Sequence, residues 1–179
     1  MYYINKPRKL LLQQTILLFM LIVVVSAKAS SLITYKSLHI DLAKKAASEA
    51  IHICRKMGYS VAVSIVDRGG NIQVVLRDRF AGPHTIKTAN RKAWTANSFR
   101  QSTSTLATLL QEGGIPNQIQ HNPGALLVGG GEVIQAQGET MGGIGVSGAP
   151  PGKYEKDSID GLCAKAGLKA IQDELEFSD

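Results

Sequence analysis

The first strongly periodic stretch of the chain, residues 37–57, predicts an amphipathic helix. Small and apolar residues recur three or four positions apart, and charged residues fill the opposite positions. Ser37 is suited to cap the start of this helix, and Gly58 is suited to end it. The apolar set is Leu42, Ala43, Ala46, Ala47, Ala50, Ile51, Cys54 and Met57.

Two β-rich runs follow, YSVAVSIVD and NIQVVLRD, on either side of the turn residues RGG. Runs of this kind around a glycine turn predict a β-hairpin. A second helix is predicted from Thr85, with Ile86, Ala89, Ala93 and Trp94 on one side. A shorter helix, STLATLLQE, ends at the glycine pair after it.

The last third of the chain returns to short strands before a final helix over residues 156–175. The runs GALLV, EVIQA and TMGGIGVSG are separated by a triple glycine and by QGE. The element order is therefore α-β-β-α-α-β-β-β-α. Strands joined by short turns pair antiparallel, so we predict an α+β fold with a five-stranded antiparallel sheet flanked by helices, a profilin-like architecture. A doubly wound parallel sheet would need helices between most strands, and the pattern lacks them.

The N-terminal residues 1–29 have the three parts of a secretory signal peptide. Basic residues lead into the apolar run LLLQQTILLFMLIVVV, and SAKAS places small residues at a cleavage site after Ala29. We therefore predict a signal peptide over 1–29, a single domain over 30–179, and a periplasmic or secreted protein without membrane contact after cleavage. An uncleaved membrane anchor is the alternative, because the length permits it.

Removal of this segment changes the charge of the protein. Four of the 20 Lys and Arg, and none of the 14 Asp and Glu, lie in residues 1–29. The mature chain therefore carries 16 minus 14, or +2, against +6 for the whole sequence. No basic run with interleaved aromatic residues appears elsewhere, so nucleic acid is not a predicted partner.

The letters GIGVSG match the glycine spacing of a dinucleotide-binding loop through Gly143, Gly145 and Gly148. That loop belongs at the first strand-to-helix turn of a βαβ unit, whereas here it falls at the last predicted strand. We interpret it as a strand that another backbone approaches closely. The sequence contains no P-loop, nucleophile elbow or His-Glu-x-x-His motif.

Cys54 and Cys163 are the only cysteines, one on each terminal helix. An exported protein meets oxidising conditions in which a disulfide persists. If the two helices pack on the same face of the sheet, the cysteines form a disulfide that closes a loop of about 110 residues. Two buried thiols are the alternative, because pairing depends on the Cα separation.

His84 is the candidate ligand residue of the chain. It follows a Gly-Pro pair, and Thr85 behind it is suited to cap the helix, whose N-terminus favours anions. Three basic residues follow on the same stretch: Arg91, Lys92 and Arg100. A neutral imidazole is a known axial ligand of haem iron, and guanidinium or ammonium groups suit propionates. A capped turn beside a solvated basic face is the alternative interpretation.

Several motifs in fixed order resemble the GlcG/HbpS-like family of haem-binding or haem-degrading domains, related to the C-terminal domain of PduO-type corrinoid proteins. They are VDRGG, RKAWTA and GGIGVSGA, within a likeness that extends from about residue 38 to 171. The resemblance implies an antiparallel sheet flanked by helices, a homo-oligomer and a tetrapyrrole ligand. Haem is the expected cofactor, and a corrinoid is less favoured.

Two functions follow from these observations. The first is an exported haem-binding protein that degrades haem slowly or releases its iron, with His84 on the iron and Arg91, Lys92 or Arg100 on the propionates. Such degradation would need little beyond binding and exposure of the ring edge, so whether the protein is an enzyme stays open. The second is a non-enzymatic oligomeric accessory or scaffold protein with the same fold and no haem role.

Overall fold

The computed structural model describes residue 32, residues 35–150 and residues 158–177. The predicted signal segment lies outside these ranges, and the elements belong to one compact unit, residues 36–179. Their order is α1 (Ile40–Lys56), β1 (Ala62–Asp67), β2 (Ile72–Arg77), α2 (Thr85–Phe99), α3 (Thr103–Gln111), a 3-10 helix (Asn117–His121), β3 (Gly131–Ala136), β4 (Glu139–Ser147), α4 (Ile159–Lys169) and α5 (Gln172–Glu176). Within the described ranges, no helix is both long and apolar enough to cross a membrane.

A single four-stranded sheet runs through the described residues in the order β2-β1-β4-β3, with every neighbouring pair antiparallel. The predicted α+β class, the hairpin and the antiparallel pairing are confirmed. The fifth strand is wrong, because GALLV forms an irregular loop. Helix α2 supplies the partners of that loop: the Leu126 N–H donates to Thr95 Oγ1 over 2.8 Å, and Arg91 Nη2 donates to the Ala125 carbonyl over 2.5 Å. These bonds give backbone groups of Ala125 and Leu126 partners outside a strand ladder.

Helices cover both faces of the sheet, because successive residues of β4 face α2 on one side and α4 on the other. A Cβ on Gly145 would stand 2.0 Å from the Ala89 carbonyl oxygen of α2, and one on Gly143 would stand 2.4 Å from the Ala93 carbonyl oxygen. Ile144 points the other way, because successive side chains of a strand alternate, and there it contacts Gly167 of α4. The interpretation of GIGVSG as a closely approached strand is therefore confirmed: these glycines let α2 lie directly on the sheet.

The apolar core lies between the sheet and the α1–α4 layer. Its fully buried side chains come from the two helices and from the strands β1, β3 and β4; they include Ala43, Ala46, Ala47, Ala50, Cys54, Val63, Ile65, Ile134, Ile144, Val146 and Cys163. Cys54 and Cys163 form a disulfide within this core, with their Cα atoms 5.6 Å apart. The disulfide ties α1 to α4 across a sequence separation of 109 residues.

Helix ends differ in three places from the sequence expectations. His39 caps α1 in place of Ser37, because its Nδ1 accepts from the Asp41 N–H over 3.3 Å. Gly58 ends α1 as predicted, with φ at 87° and the N–H of the next residue bonded back into the last turn. Thr85 is the first residue of α2 and not its cap, since its Oγ1 donates to the Gly82 carbonyl over 2.6 Å. The final helix is broken after Lys169 into α4 and α5.

Candidate functional site

An open groove of about 660 Å³ lies where the β1–β2 hairpin meets the C-terminal end of α1. Residues from three segments line it: Arg55 from α1, Ser60 ahead of β1, and Arg77, Asp78, Arg79 and Phe80 from the end of β2 and the turn after it. The Asp78 N–H bonds the Val61 carbonyl over 2.9 Å and so extends the hairpin pairing to the groove. Its volume falls within the range of about 300–1,000 Å³ that is usual for small-molecule sites.

An ion pair closes the α1 side of the groove. Arg55 Nε donates to Asp78 Oδ2 over 2.5 Å, and the Asp78 side chain is only 7% exposed whereas that of Arg55 is 59% exposed. The hydrogen bond from Arg55, together with its charge, holds the pKa of Asp78 below its usual value, and the same contact raises the pKa of Arg55. The charge of Arg55 is therefore largely compensated.

Two further guanidinium groups of the groove form no ion pair with a described carboxylate, although the charge of Arg79 also helps to lower the pKa of Asp78. Arg77 Nη1 donates to the Ala81 carbonyl over 2.5 Å, which ties the turn after β2 to the end of the strand. The Arg79 guanidinium lies 4.5 Å from the centre of the Phe80 ring, a cation–π contact. Phe80 is 74% exposed. A large aromatic ring is thus exposed to solvent beside guanidinium groups that form no ion pair among the described residues.

His84 occupies the N-cap position of α2 and is exposed. Its imidazole lies against Gly82, since a Cβ there would stand 2.7 Å from Cε1. Two consecutive turns connect it to the groove: the Ala81 N–H bonds the Asp78 carbonyl, and the Thr85 N–H bonds the Gly82 carbonyl, each over 3.0 Å. Four residues of chain separate the Cα atoms of His84 and Phe80 by at most about 14 Å.

The structure does not bring the other predicted contacts to His84. Arg91 is exposed, but its Nε and Nη2 donate to the carbonyls of Gly124 and Ala125, so it fastens the loop before β3. Arg100 ends α2 in a left-handed conformation, with φ at 53°. Sixteen residues of helical rise put it about 24 Å along the helix axis from His84. The two backbone positions therefore lie far apart along α2.

Lys92 is buried, and both of its partners lie inside the protein. Lys92 Nζ donates to Asp160 Oδ2 over 2.8 Å and to the Val146 carbonyl over 3.0 Å, and its side chain is 3% exposed. The second oxygen of Asp160 accepts from the Ala149 N–H over 3.1 Å. This ion pair therefore fixes the end of β4 to the start of α4. Its ammonium group is not presented to a ligand, which differs from the predicted propionate contact.

The sequence analysis did not single out the groove, although residues 77–80 are separated from the Gly-Pro pair before His84 by Ala81 alone. RDRF carries two arginines and an aromatic residue at the end of a predicted strand, and this signal was available. Arg55 was not accessible to such reasoning, because it reaches Asp78 from another element 23 residues away. Among the described residues, no three His, Cys, Asp or Glu side chains converge on a point that would hold a metal ion.

A single antiparallel sheet covered by helices on both faces, with an arginine-lined groove at one hairpin end, places the protein among small single-sheet α+β domains. The sequence assigns the protein to one family within this class. Residues 38–169 match the family described as haem-degrading proteins like HbpS, and this is most of the described chain. The chain belongs to the HbpS-like family, as the motif resemblance predicted.

Similar proteins include part of a larger enzyme. The chain is 31% identical over 112 residues to the corrinoid adenosyltransferase PduO of Salmonella typhimurium, which covers 60% of this chain but only 32% of PduO. It is also 29% identical over 119 residues to an uncharacterized 15.0 kDa protein of Citrobacter freundii, 82% of which is covered. The chain thus spans about a third of PduO and most of the small protein.

Two solved structures share the fold. A double mutant of Streptomyces reticuli HbpS is 37% identical, with a TM-score of 0.72 over 82% of this chain and 95% of that chain. A complex of PduOC with haem is 26% identical, with a TM-score of 0.65 over 76% of this chain and 96% of that chain. In both cases the superposition covers nearly the whole of the solved chain.

Proposed function

We propose that the protein binds haem at the groove, with His84 as the ligand of the iron. The observation that carries the proposal is the exposed Phe80 ring in a groove with two net positive charges, joined by two consecutive turns of the chain to an exposed imidazole. Membership of the HbpS-like family and the likeness to a haem complex support the choice of ligand.

Each group fits one part of a haem molecule. Phe80 offers an apolar face to the ring, Arg77 and Arg79 offer charged hydrogen bonds to propionates, and a neutral imidazole coordinates iron. A corrinoid is the less favoured ligand, because its ring side chains are mostly neutral amides and offer no pair of carboxylates to the two guanidinium groups. Bound haem would supply a redox-active iron. Slow oxidation of the ring would ask of this chain only that it hold the ligand with one edge open to solvent, which an open groove does.

A hemin titration of the purified protein, followed by absorbance, tests the proposal. We expect a saturable shift of the Soret band that is lost or strongly altered in His84→Ala. His121→Ala is the matched control, because His121 is also exposed but lies in the 3-10 helix before β3. An unchanged hemin spectrum at micromolar protein would contradict haem binding and favour a scaffold role. A shift that survives His84→Ala would move the iron ligand to another group, such as His39.

We also propose that the protein is exported and assembles as a homo-oligomer. The disulfide between Cys54 and Cys163 supports export, because such bonds persist in oxidising compartments. Intact-mass measurement of the protein from fractionated cells tests both the location and the cleavage after Ala29: Ser30 as first residue supports a signal peptide, and the full mass supports an anchor. Sedimentation analysis of the same material measures the oligomeric state.

A further inference from the structure

We infer that the groove recognises two free carboxylates of its ligand, independently of any contact between His84 and a metal. This inference rests on the proposed function and specifies what that site recognises. It assigns Arg77 and Arg79 as specificity-determining residues for a planar aromatic dicarboxylate, the chemical class that includes haem and metal-free porphyrins.

The inference comes from the balance of charges in the groove. Three guanidinium groups and one carboxylate line it, and the Asp78 carboxylate is committed to Arg55 over 2.5 Å. Neither Arg77 nor Arg79 forms an ion pair with a described carboxylate, and Arg79 shares the charge of Asp78 with Arg55. Three guanidinium groups against one carboxylate leave the groove with two net positive charges that a ligand can compensate. A ligand with two carboxylates matches this number.

Geometry supports a ligand whose charged groups project from a flat ring. The Arg79 guanidinium lies 4.5 Å from the centre of the exposed Phe80 ring, so a charge and an apolar surface are presented side by side. The hydrogen bond from Arg77 to the Ala81 carbonyl holds its guanidinium at the end of β2 and reduces the entropy lost on binding. Ester or amide groups in place of the carboxylates would leave both charges without a counterion.

Protoporphyrin IX and its dimethyl ester separate carboxylate recognition from iron ligation, because neither contains a metal. Their affinities can be measured by porphyrin fluorescence anisotropy in a neutral detergent. Exposed charge pairs contribute little individually, about threefold in affinity each, so we expect the wild-type protein to prefer the diacid about tenfold. The preference should fall on going from about 50 mM to about 500 mM salt, because exposed charges are screened.

Arg79→Gln should reduce the preference to about threefold and weaken the diacid alone. Lys169→Gln is the matched control, since it removes one positive charge from an exposed site at the end of α4, outside the groove. It should leave the preference unchanged. Arg77→Lys keeps the charge but changes the hydrogen bond to the Ala81 carbonyl in the turn. It should retain most of the preference, which separates the effect of the charge from that of the turn.

Equal affinities for the diacid and the diester, no binding of either, or a preference that survives Arg79→Gln would overturn the inference. His84→Ala should keep the preference, because the probes offer no iron. If hemin binds through His84 but the preference is absent, the inference fails and the proposed function stands. If the preference is present but hemin gives no Soret shift, the carboxylate site stands and the iron ligation fails.

Discussion

Replacing Lys92 with methionine should strongly destabilise the protein while leaving ligand affinity intact. Methionine keeps most of the length and apolar volume of the lysine stem but removes the ammonium group. Asp160 would then keep one hydrogen bond, from the Ala149 N–H, and lose its counterion. The Val146 carbonyl would lose its donor as well.

The size of the effect follows from burial. The side chains of Lys92 and Asp160 are 3% and 9% exposed, so the carboxylate left behind cannot be solvated without local opening. Breaking a buried pair from one side costs about 3–5 kcal/mol, several times the value for an exposed pair. Since small domains are stable by about 5–15 kcal/mol, the variant should unfold at a much lower urea concentration.

A double-mutant cycle with Asp160→Asn isolates the pair. Urea unfolding of the wild type, both single variants and the double variant gives the coupling free energy, provided that the m-values agree. We expect Lys92→Met and Asp160→Asn together to cost less than the sum of the single changes. Lys169→Met is the control at an exposed position of α4 and should change the free energy of unfolding by less than about 0.5 kcal/mol.

Two results would refute this reasoning. If Lys92→Met costs no more than the control, Lys92 is not in a buried ion pair in solution. If it leaves the urea midpoint unchanged but weakens hemin binding, the ammonium group contacts the ligand, as the sequence alone predicts.

Three further predictions concern other parts of the fold. Replacing Cys54 and Cys163 with alanine should lower the free energy of unfolding by up to about 5 kcal/mol, the loop-entropy limit for their 109-residue separation, as measured by urea unfolding under non-reducing conditions. Because Arg55 lowers the pKa of Asp78, this carboxylate stabilises the folded protein fully above its unfolded pKa of about 3.9, and the stabilisation is lost as the pH falls further. Asp78→Asn should therefore make the urea midpoint fall less steeply between pH 6 and pH 3 than it does in the wild type. Gly145→Ala should cost about 3 kcal/mol or prevent folding, because its Cβ would stand 2.0 Å from a backbone oxygen, and thermal melting measures it.

Local signals were sufficient for most of the fold. The helical spacing of residues 37–57 and the hairpin around RGG depend on neighbours in sequence, and both appear in the structure as α1 and β1–β2. The loop GALLV has the same apolar composition as a strand. In the structure its backbone is bonded instead by two α2 side chains, Arg91 and Thr95, from about 30 residues away. The apolar pattern along the chain carries no information about such hydrogen bonds from a distant helix.

The candidate site was harder to predict because its function depends on which charges remain uncompensated. From sequence, Arg91 and Lys92 are equally good candidates for contact with a ligand. In the structure, the helical step of about 100° between them directs Lys92 into the protein toward Asp160. Arg55 is compensated by Asp78 in the same manner. Only after these pairs are assigned do Arg77 and Arg79 stand out as guanidinium groups without an ion pair among the described residues. That assignment requires the contacts between α1, α2, α4 and the sheet.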